Sequence, residues 1–272
     1  MLRTAIDGAA QRLLAARRRR IPLEPLPAAI RPMTADDGYD VQNALHRLAD
    51  GGGRSGQAGW KIGCTSKILQ DILNIHQPAA GGIAAMDVHR SGTILRLRDF
   101  VRVGVECEIA VELGEDLAPA GAPWRRESVA DSVAACRSAI EVVDDRYGDF
   151  RTLGAPTLIA DDFFQAAVVL GERCENWRDR DLGTLVASTA VDGRAIGHGK
   201  GADLMGHPLE PLAWLANHLA ARGQGLRRGD IVLTGSMVAV HWATGPCSVR
   251  IENSAFGSVE LTLAADSHLI PA

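Results

Sequence analysis

The chain has 272 residues, 46% of them hydrophobic and only 4% aromatic, with 29 glycines and a formal net charge of −4. That length suits one large domain or a domain with a small appendage, the glycines favour a turn-rich, β-rich fold, and the mild acidity argues against general affinity for nucleic acid. No apolar run approaches the roughly 18 residues of a membrane span, and no secretory apolar segment opens the chain. The five cysteines, Cys64, Cys107, Cys136, Cys174 and Cys247, are scattered, odd in number and without a CxxC pair, so a reduced, cytoplasmic protein without structural zinc is expected.

Leu2, Ile6, Ala9, Ala10, Leu13 and Leu14 recur at helical spacing and predict an amphipathic helix over 2–19. The run Arg17-Arg18-Arg19-Arg20 reads as its solvated end, where cations are favoured, rather than as a targeting or RNA-binding signal. Ile21-Pro22-Leu23-Glu24-Pro25-Leu26-Pro27 is an extended connector. A second helix is expected over 34–49, with Thr34 and Asp37 at N-cap spacing and Gly51-Gly52-Gly53 ending it. The first 57 residues thus form a helical N-terminal segment, and a β-rich domain is expected over 58–272.

Gly59-Trp60-Lys61-Ile62-Gly63 reads as a short strand. Lys61, among apolar neighbours, either pairs with an anion or snorkels to the surface. A short helix over 66–74 is followed by Gln77-Pro78-Ala79-Ala80-Gly81-Gly82, read as a flexible loop of small residues. Strands are expected over 93–98 and 104–113. Within the second, Val105-Glu106-Cys107-Glu108-Ile109-Ala110 puts Glu106 and Glu108 on one face. Two carboxylates in an apolar run repel each other and are costly to bury unless a cation sits between them, and magnesium prefers oxygen ligands. A solvated strand face is the open alternative.

Residues 127–143 read as a helix running into Ile140-Glu141-Val142-Val143-Asp144, where Glu141 either needs a partner or is a helix-end acid. A strand over 166–170 follows Phe163 and Phe164, and 183–196 predicts a hairpin turning at Val191-Asp192-Gly193-Arg194. Gly197-His198-Gly199-Lys200-Gly201 has neither phosphate-loop nor dinucleotide spacing, leaving a backbone nest or close approach of substrate. A helix from Pro208 to Leu219 and strands over 229–233, 246–251 and 257–263 complete the chain. Thr234-Gly235-Ser236 is not a nucleophile elbow.

Taken together, Gly59 to Ser66, Val105 to Ala110, Ala139 to Tyr147, Gly206-His207-Pro208-Leu209, Gly229 to Gly235 and Gly257-Ser258-Val259 resemble, in order and spacing, one known group. This is the 2-keto-4-pentenoate hydratase and 4-oxalocrotonate decarboxylase branch of the fumarylacetoacetate hydrolase superfamily. The resemblance implies an α+β fold, a twisted mixed β-sandwich or roll with a helical N-terminal part, and assigns catalysis to 58–272. It implies that Glu106, Glu108 and Glu141 bind one Mg²⁺ or Mn²⁺. It also implies that Lys61 and Glu106 are catalytic, that Lys61, Gly82, Asp161 and Ser236 contact substrate, and that the protein is a homo-oligomer.

The implied activity is a lyase reaction on a 2-oxo acid or its dienol, from aromatic-ring breakdown. Such a substrate chelates the metal, which acts as a Lewis acid and stabilises the enolate. Hydration of a 2-hydroxypenta-2,4-dienoate is placed first and decarboxylation of a 2-oxo-3-hexenedioate second. C–C bond hydrolysis of an acylpyruvate, or keto-acid binding with little turnover, comes behind them. The sequence departs from the pattern at three places. Ala79 stands where hydratases of the branch carry an aspartate, which raises the decarboxylase reading. Ala160-Asp161-Asp162-Phe163-Phe164 replaces a usual A-D-N-A-S, bringing in bulky residues. Beyond Val240, His241 and Trp242 are atypical and are expected at the rim.

Overall fold

Alternation along the strand β5 (Val103–Leu113) sets the architecture. Its odd-numbered residues, Val103 to Leu113, are apolar and buried. Its even-numbered face carries Glu106 and Glu108. A strand with one fully apolar face must cover that face, and here a second sheet does so. A computed structural model describes residues 1–49 and 56–265.

The larger sheet is mixed and runs β2 (Ala79–Ala84), β1 (Gln57–Gly63), β10 (Ile231–Leu233), β5, β6 (Val133–Asp144), β7 (Gln165–Leu170), β3 (Val88–Arg90). The short β11 (His241–Trp242) also pairs with β5. The smaller sheet runs β4 (Thr93–Arg96), β13 (Gly257–Ala264), β12 (Cys247–Asn253), β8 (Val186–Val191), β9 (Arg194–Lys200). Between the sheets Ser138 donates to the Gly257 carbonyl at 2.7 Å, and Cys107 meets Thr189. The expected α+β architecture of a mixed β-sandwich with a helical N-terminal segment is the one observed.

Helices α1 (Arg3–Arg19) and α2 (Ala35–Ala49) form that segment. The expected N-cap is present: Asp37 N–H donates to Thr34 Oγ1 at 3.1 Å, and Thr34 N–H to Asp37 Oδ2 at 3.1 Å. The triglycine expected to end α2 lies outside the described residues. Gln42 of α2 donates to the carbonyls of Ala80 and Ile159, tying the helix to β2 and to α5 (Ala155–Ala160). Short helices α3 (Lys67–Leu73) and α4 (Arg126–Asp131) and the longer α6 (Leu209–Ala221) complete the set. Among the described residues no helix is long and apolar enough to cross a membrane.

Two expectations fail locally. The helix expected over 127–143 stops at Asp131, and Val133–Asp144 is a strand paired with β5 along its length. The Ala- and Ser-rich stretch has helical propensity, but it is buried between neighbours on both sides, and pairing overrides propensity. The loop expected at 77–82 is largely β2, buried from Ala79 to Ile83. Its residues are small because neighbours press on them. A Cβ on Gly81 would come 2.4 Å from the Asp162 carbonyl, and one on Gly82 would come 2.4 Å from the His46 ring. The predicted 191–194 turn joins β8 to β9 with Asp192 and Gly193 at positive φ. Of the glycines after it, Gly199 faces the Met237 carbonyl, so the close approach there is by backbone.

Candidate metal and substrate site

Register builds the site. Glu106 is the direct partner of Glu141 across β5 and β6, and Cys107 is the partner of Ile140. Ile140 therefore points to the inter-sheet core while Glu141 shares the opposite face with Glu106 and Glu108. Lys61 of β1 pairs with Leu233, and Leu233 with Ala110, which puts Lys61 on that same face across β10. Ligand atoms of Glu106, Glu108 and Glu141 lie within 4.8 Å of one another. Lys61 Nζ is 3.0 Å from Glu141 Oε1.

Three of these four side chains are shut off from water: Lys61 is 3% exposed, Glu108 1% and Glu141 0%. Glu106 is half-buried and is the open corner of the group. Burial is the main reason all three carboxyls titrate high. Glu106 is pushed up to about 7 by burial and by Glu141, against the pull of Lys61. Glu108 rises well above the usual range through burial, Glu141 and Glu106, although it accepts the Gly235 N–H at 2.7 Å. Glu141 rises through burial, opposed by Lys61. Burial opposes charge on Lys61 as well, yet Glu141 and Glu106 outweigh it and raise its pKa. Without a metal, these carboxylates favour the ammonium form of Lys61.

The contact to Gly235 requires glycine. Its φ is +115°, and a Cβ there would come 2.7 Å from the Thr65 side chain. This left-handed residue turns the chain after β10 so that its N–H reaches Glu108. Glu141 has no comparable donor: apart from Lys61, neither of its oxygens finds a partner among the described residues. Three converging carboxylates, one of them buried and otherwise unsatisfied, beside one lysine fit a hard divalent cation, whose preferred ligands are oxygens.

The other expected contact residues are engaged within the protein. Gly82 N–H donates to Asp162 Oδ1 at 2.8 Å. Asp161 accepts from Arg17 Nε at 2.6 Å, Arg146 Nε at 2.9 Å and Tyr147 Oη at 2.8 Å. Ser236 Oγ accepts the Cys107 N–H at 3.2 Å and donates to the Val238 carbonyl at 2.7 Å, one residue along β5 from Glu106. Arg17 does not behave as part of a solvated basic run. It also donates to Asp162 Oδ2 at 2.9 Å, while His46 Nε2 lies 2.7 Å from Asp162 Oδ1. Only a helix face turned inward distinguishes Arg17 from Arg18 and Arg19. Ala79 is fully buried opposite Gly63. His241 and Trp242 are half-buried on β11 beside Gly104 and Val105. A surface groove of about 860 Å³ between α2 and α6, lined by Tyr39, Trp214, His218 and Arg222, contains none of the site's residues.

A mixed sheet that presents two buried carboxylates, a half-buried third and one lysine on a single face defines a candidate divalent-metal site of the all-carboxylate type. The chain belongs to the fumarylacetoacetate hydrolase family: the model described as "Fumarylacetoacetate (FAA) hydrolase C-terminal" matches residues 79–262. The chain is 34% identical over 265 residues to a 2-keto-4-pentenoate hydratase of Paraburkholderia phymatum, covering 95% of this chain and 97% of the relative. It is 32% identical over 234 residues to a 2-hydroxyhexa-2,4-dienoate hydratase of Comamonas testosteroni, covering 85% and 87%. Among solved structures, a 4-oxalocrotonate decarboxylase of Pseudomonas putida G7, complexed with magnesium and adipate, superposes with a TM-score of 0.89. That match covers 97% of this chain and 98% of the other at 24% identity, and it bears on the fold.

Proposed function

We propose that the protein is a metal-dependent lyase acting on a 2-oxo acid or its dienol, with hydration of a 2-hydroxypenta-2,4-dienoate-type substrate as the leading reaction. The observation that carries this is the convergence of Glu106, Glu108 and Glu141 within 4.8 Å beside the buried ammonium of Lys61. Relatives named as hydratases at 32–34% identity over most of both chains support the choice of reaction. Glu106, Glu108 and Glu141 would hold Mg²⁺ or Mn²⁺, and the bound ion would supply Lewis acidity toward the 2-oxo carboxylate.

The chain's own residues do the rest. Glu108 is held by the Gly235 N–H and Glu141 by Lys61, so these two are positioned before any ligand arrives. Glu106, the open corner, lies where a ligand enters. Lys61, 3.0 Å from Glu141, serves as a cation for an anionic substrate group and as an acid–base group at Nζ. Ser236, next to Cys107 on the loop after β10, is kept as a substrate contact. Gly82 and Asp161 contribute by holding the Asp161–Asp162 turn. Burial around Lys61 and Glu141 screens the 2-oxo carboxylate end of the substrate from bulk solvent.

A second reading, decarboxylation of a 2-oxo-3-hexenedioate-type substrate, is favoured by Ala79, an apolar residue where an acid is expected. Incubating the Mg²⁺-loaded protein with each compound, following loss of dienol absorbance and release of CO₂ separately, distinguishes the two. Activity on neither would sink both. Self-association is part of the proposal. Ile68, Leu69 and Ile72 of α3 offer exposed apolar surface for it, and light scattering tests it.

A further inference from the structure

Three consecutive non-glycine residues, Asp162, Phe163 and Phe164, have φ of +52°, +51° and +70°. Each such residue is strained and persists only where its surroundings over-determine it. Here they do. Asp162 is bound by Arg17, His46 and the Gly82 N–H, and Asp161 by Arg17, Arg146 and Tyr147. Phe164 makes edge contacts with Tyr147, Phe150 and Phe163. The ion cluster thus spends its bonds on one conformation of one turn.

That conformation delivers the Phe163 ring to the site. Its centroid is 5.5 Å from Lys61 Nζ. A Cβ built on Gly63 would come 2.8 Å from the ring and 3.5 Å from Lys61 Nζ, so ring, Gly63 and ammonium meet at one place. The two guanidinium groups of this turn, Arg17 and Arg146, are already committed to Asp161 and Asp162. A ligand group arriving beside Lys61 therefore meets a phenyl ring, and the guanidinium groups of Arg17 and Arg146 are already taken. A flat, uncharged carbon chain is the kind of group that suits a phenyl face. A second carboxylate would lose its hydration there, with Lys61 already shared between Glu141 and the head of the substrate.

Building on the 2-oxo acid reading of the site, we propose that Phe163 is a specificity-determining residue that selects 2-oxo acids with a short, uncharged tail over 2-oxo dicarboxylates. The test compares 2-oxopentanoate with 2-oxohexanedioate, which share a head and differ in the terminal carboxylate, by calorimetry on the Mg²⁺-loaded full chain. The wild type is expected to bind the monocarboxylate at least 10-fold more tightly. Phe163→Ala should shrink that ratio at least 10-fold, chiefly through tighter dicarboxylate binding, and Phe163→Leu should fall between. Phe163→Leu keeps an apolar side chain in the packed turn and serves if the alanine variant does not fold. A ratio unchanged within twofold in folded variants, or a wild type that prefers the dicarboxylate, overturns the role of Phe163. If the wild type binds Mg²⁺ but neither compound, the 2-oxo acid reading itself fails, and the proposal with it.

Discussion

Glu106 and Glu141 stand directly opposite each other on the antiparallel ladder of β5 and β6, two buried or half-buried acids at a position where like charges destabilise a sheet. The pair is tolerable because Lys61 approaches Glu141 from β1 at 3.0 Å and because a cation can be shared between the strands. An arrangement that is unfavourable in the empty protein and relieved by a cation should reveal itself in binding, stability and pH dependence.

Removing a carboxylate should abolish metal binding. Glu141→Gln and Glu106→Gln are each expected to weaken Mn²⁺ affinity by more than the roughly 10–100-fold typical of an outer-shell partner. Titration followed by Mn²⁺ paramagnetic resonance measures this. Wild-type affinity in both variants would eliminate the three-glutamate site.

Lys61→Ala should leave Mn²⁺ affinity within about tenfold and lower the turnover number by roughly 10²–10⁴, the usual range for a positioned proton donor. Steady-state kinetics with the dienol substrate reads the effect. An unchanged turnover number would remove Lys61 from the chemistry.

The raised carboxyls give opposite pH dependences with and without metal. A carboxyl whose folded pKa lies above its unfolded value binds more protons in the native state. Its contribution to stability is then complete below the unfolded value near 4.5 and is lost as pH rises through about 7, the value for Glu106. The metal-free protein should show a Tm that falls between pH 5 and pH 8. Metal affinity should climb over the same window, with protons released on binding. Thermal scans with and without Mg²⁺, and calorimetry in buffers of different ionisation enthalpy, test both. A metal-free Tm that rises from pH 5 to pH 8 would contradict the charge arrangement.

Arg17 should matter where its neighbours in the basic run do not. Arg17→Ala leaves Asp161 and Asp162, each almost fully buried, short of a partner. The cost should stay somewhat below the roughly 3–5 kcal/mol of a fully buried pair, because the Arg17 side chain is 25% exposed. Arg19→Ala, on an exposed residue, should stay within about 0.5 kcal/mol. Urea midpoints for the two variants make the comparison.

Gly235→Ala should cost about 1–3 kcal/mol and weaken metal binding, since it strains a φ of +115° and pushes against Thr65 while Glu108 depends on that N–H. Urea unfolding and Mn²⁺ titration of the same sample check both parts.

Local pattern was enough to determine several features of this chain. Alternation in Val105 to Ala110 put Glu106 and Glu108 on one face, the Thr34 and Asp37 spacing started α2, and Asp192-Gly193 turned the β8–β9 hairpin. Each depends on residues two to four apart, and backbone geometry converts such spacing directly into direction. The rest depended on partners distant in sequence. Glu141 sits on a strand because β5 pairs with it, against the helical propensity of its own neighbours. Ala79 to Ala84 form a strand because they pair with β1, and Gly81 and Gly82 are glycines because Asp162 and His46 leave no room for a Cβ. Arg17 left its basic run because Asp161 and Asp162, some 145 residues on, lie within its reach. Lys61 pairs with Glu141 across two intervening strands. Spacing could say that two acids wanted a cation. The family resemblance named Glu141 and Lys61 as their companions; register and burial supply the physical reason, and only they bring an aromatic ring beside that lysine.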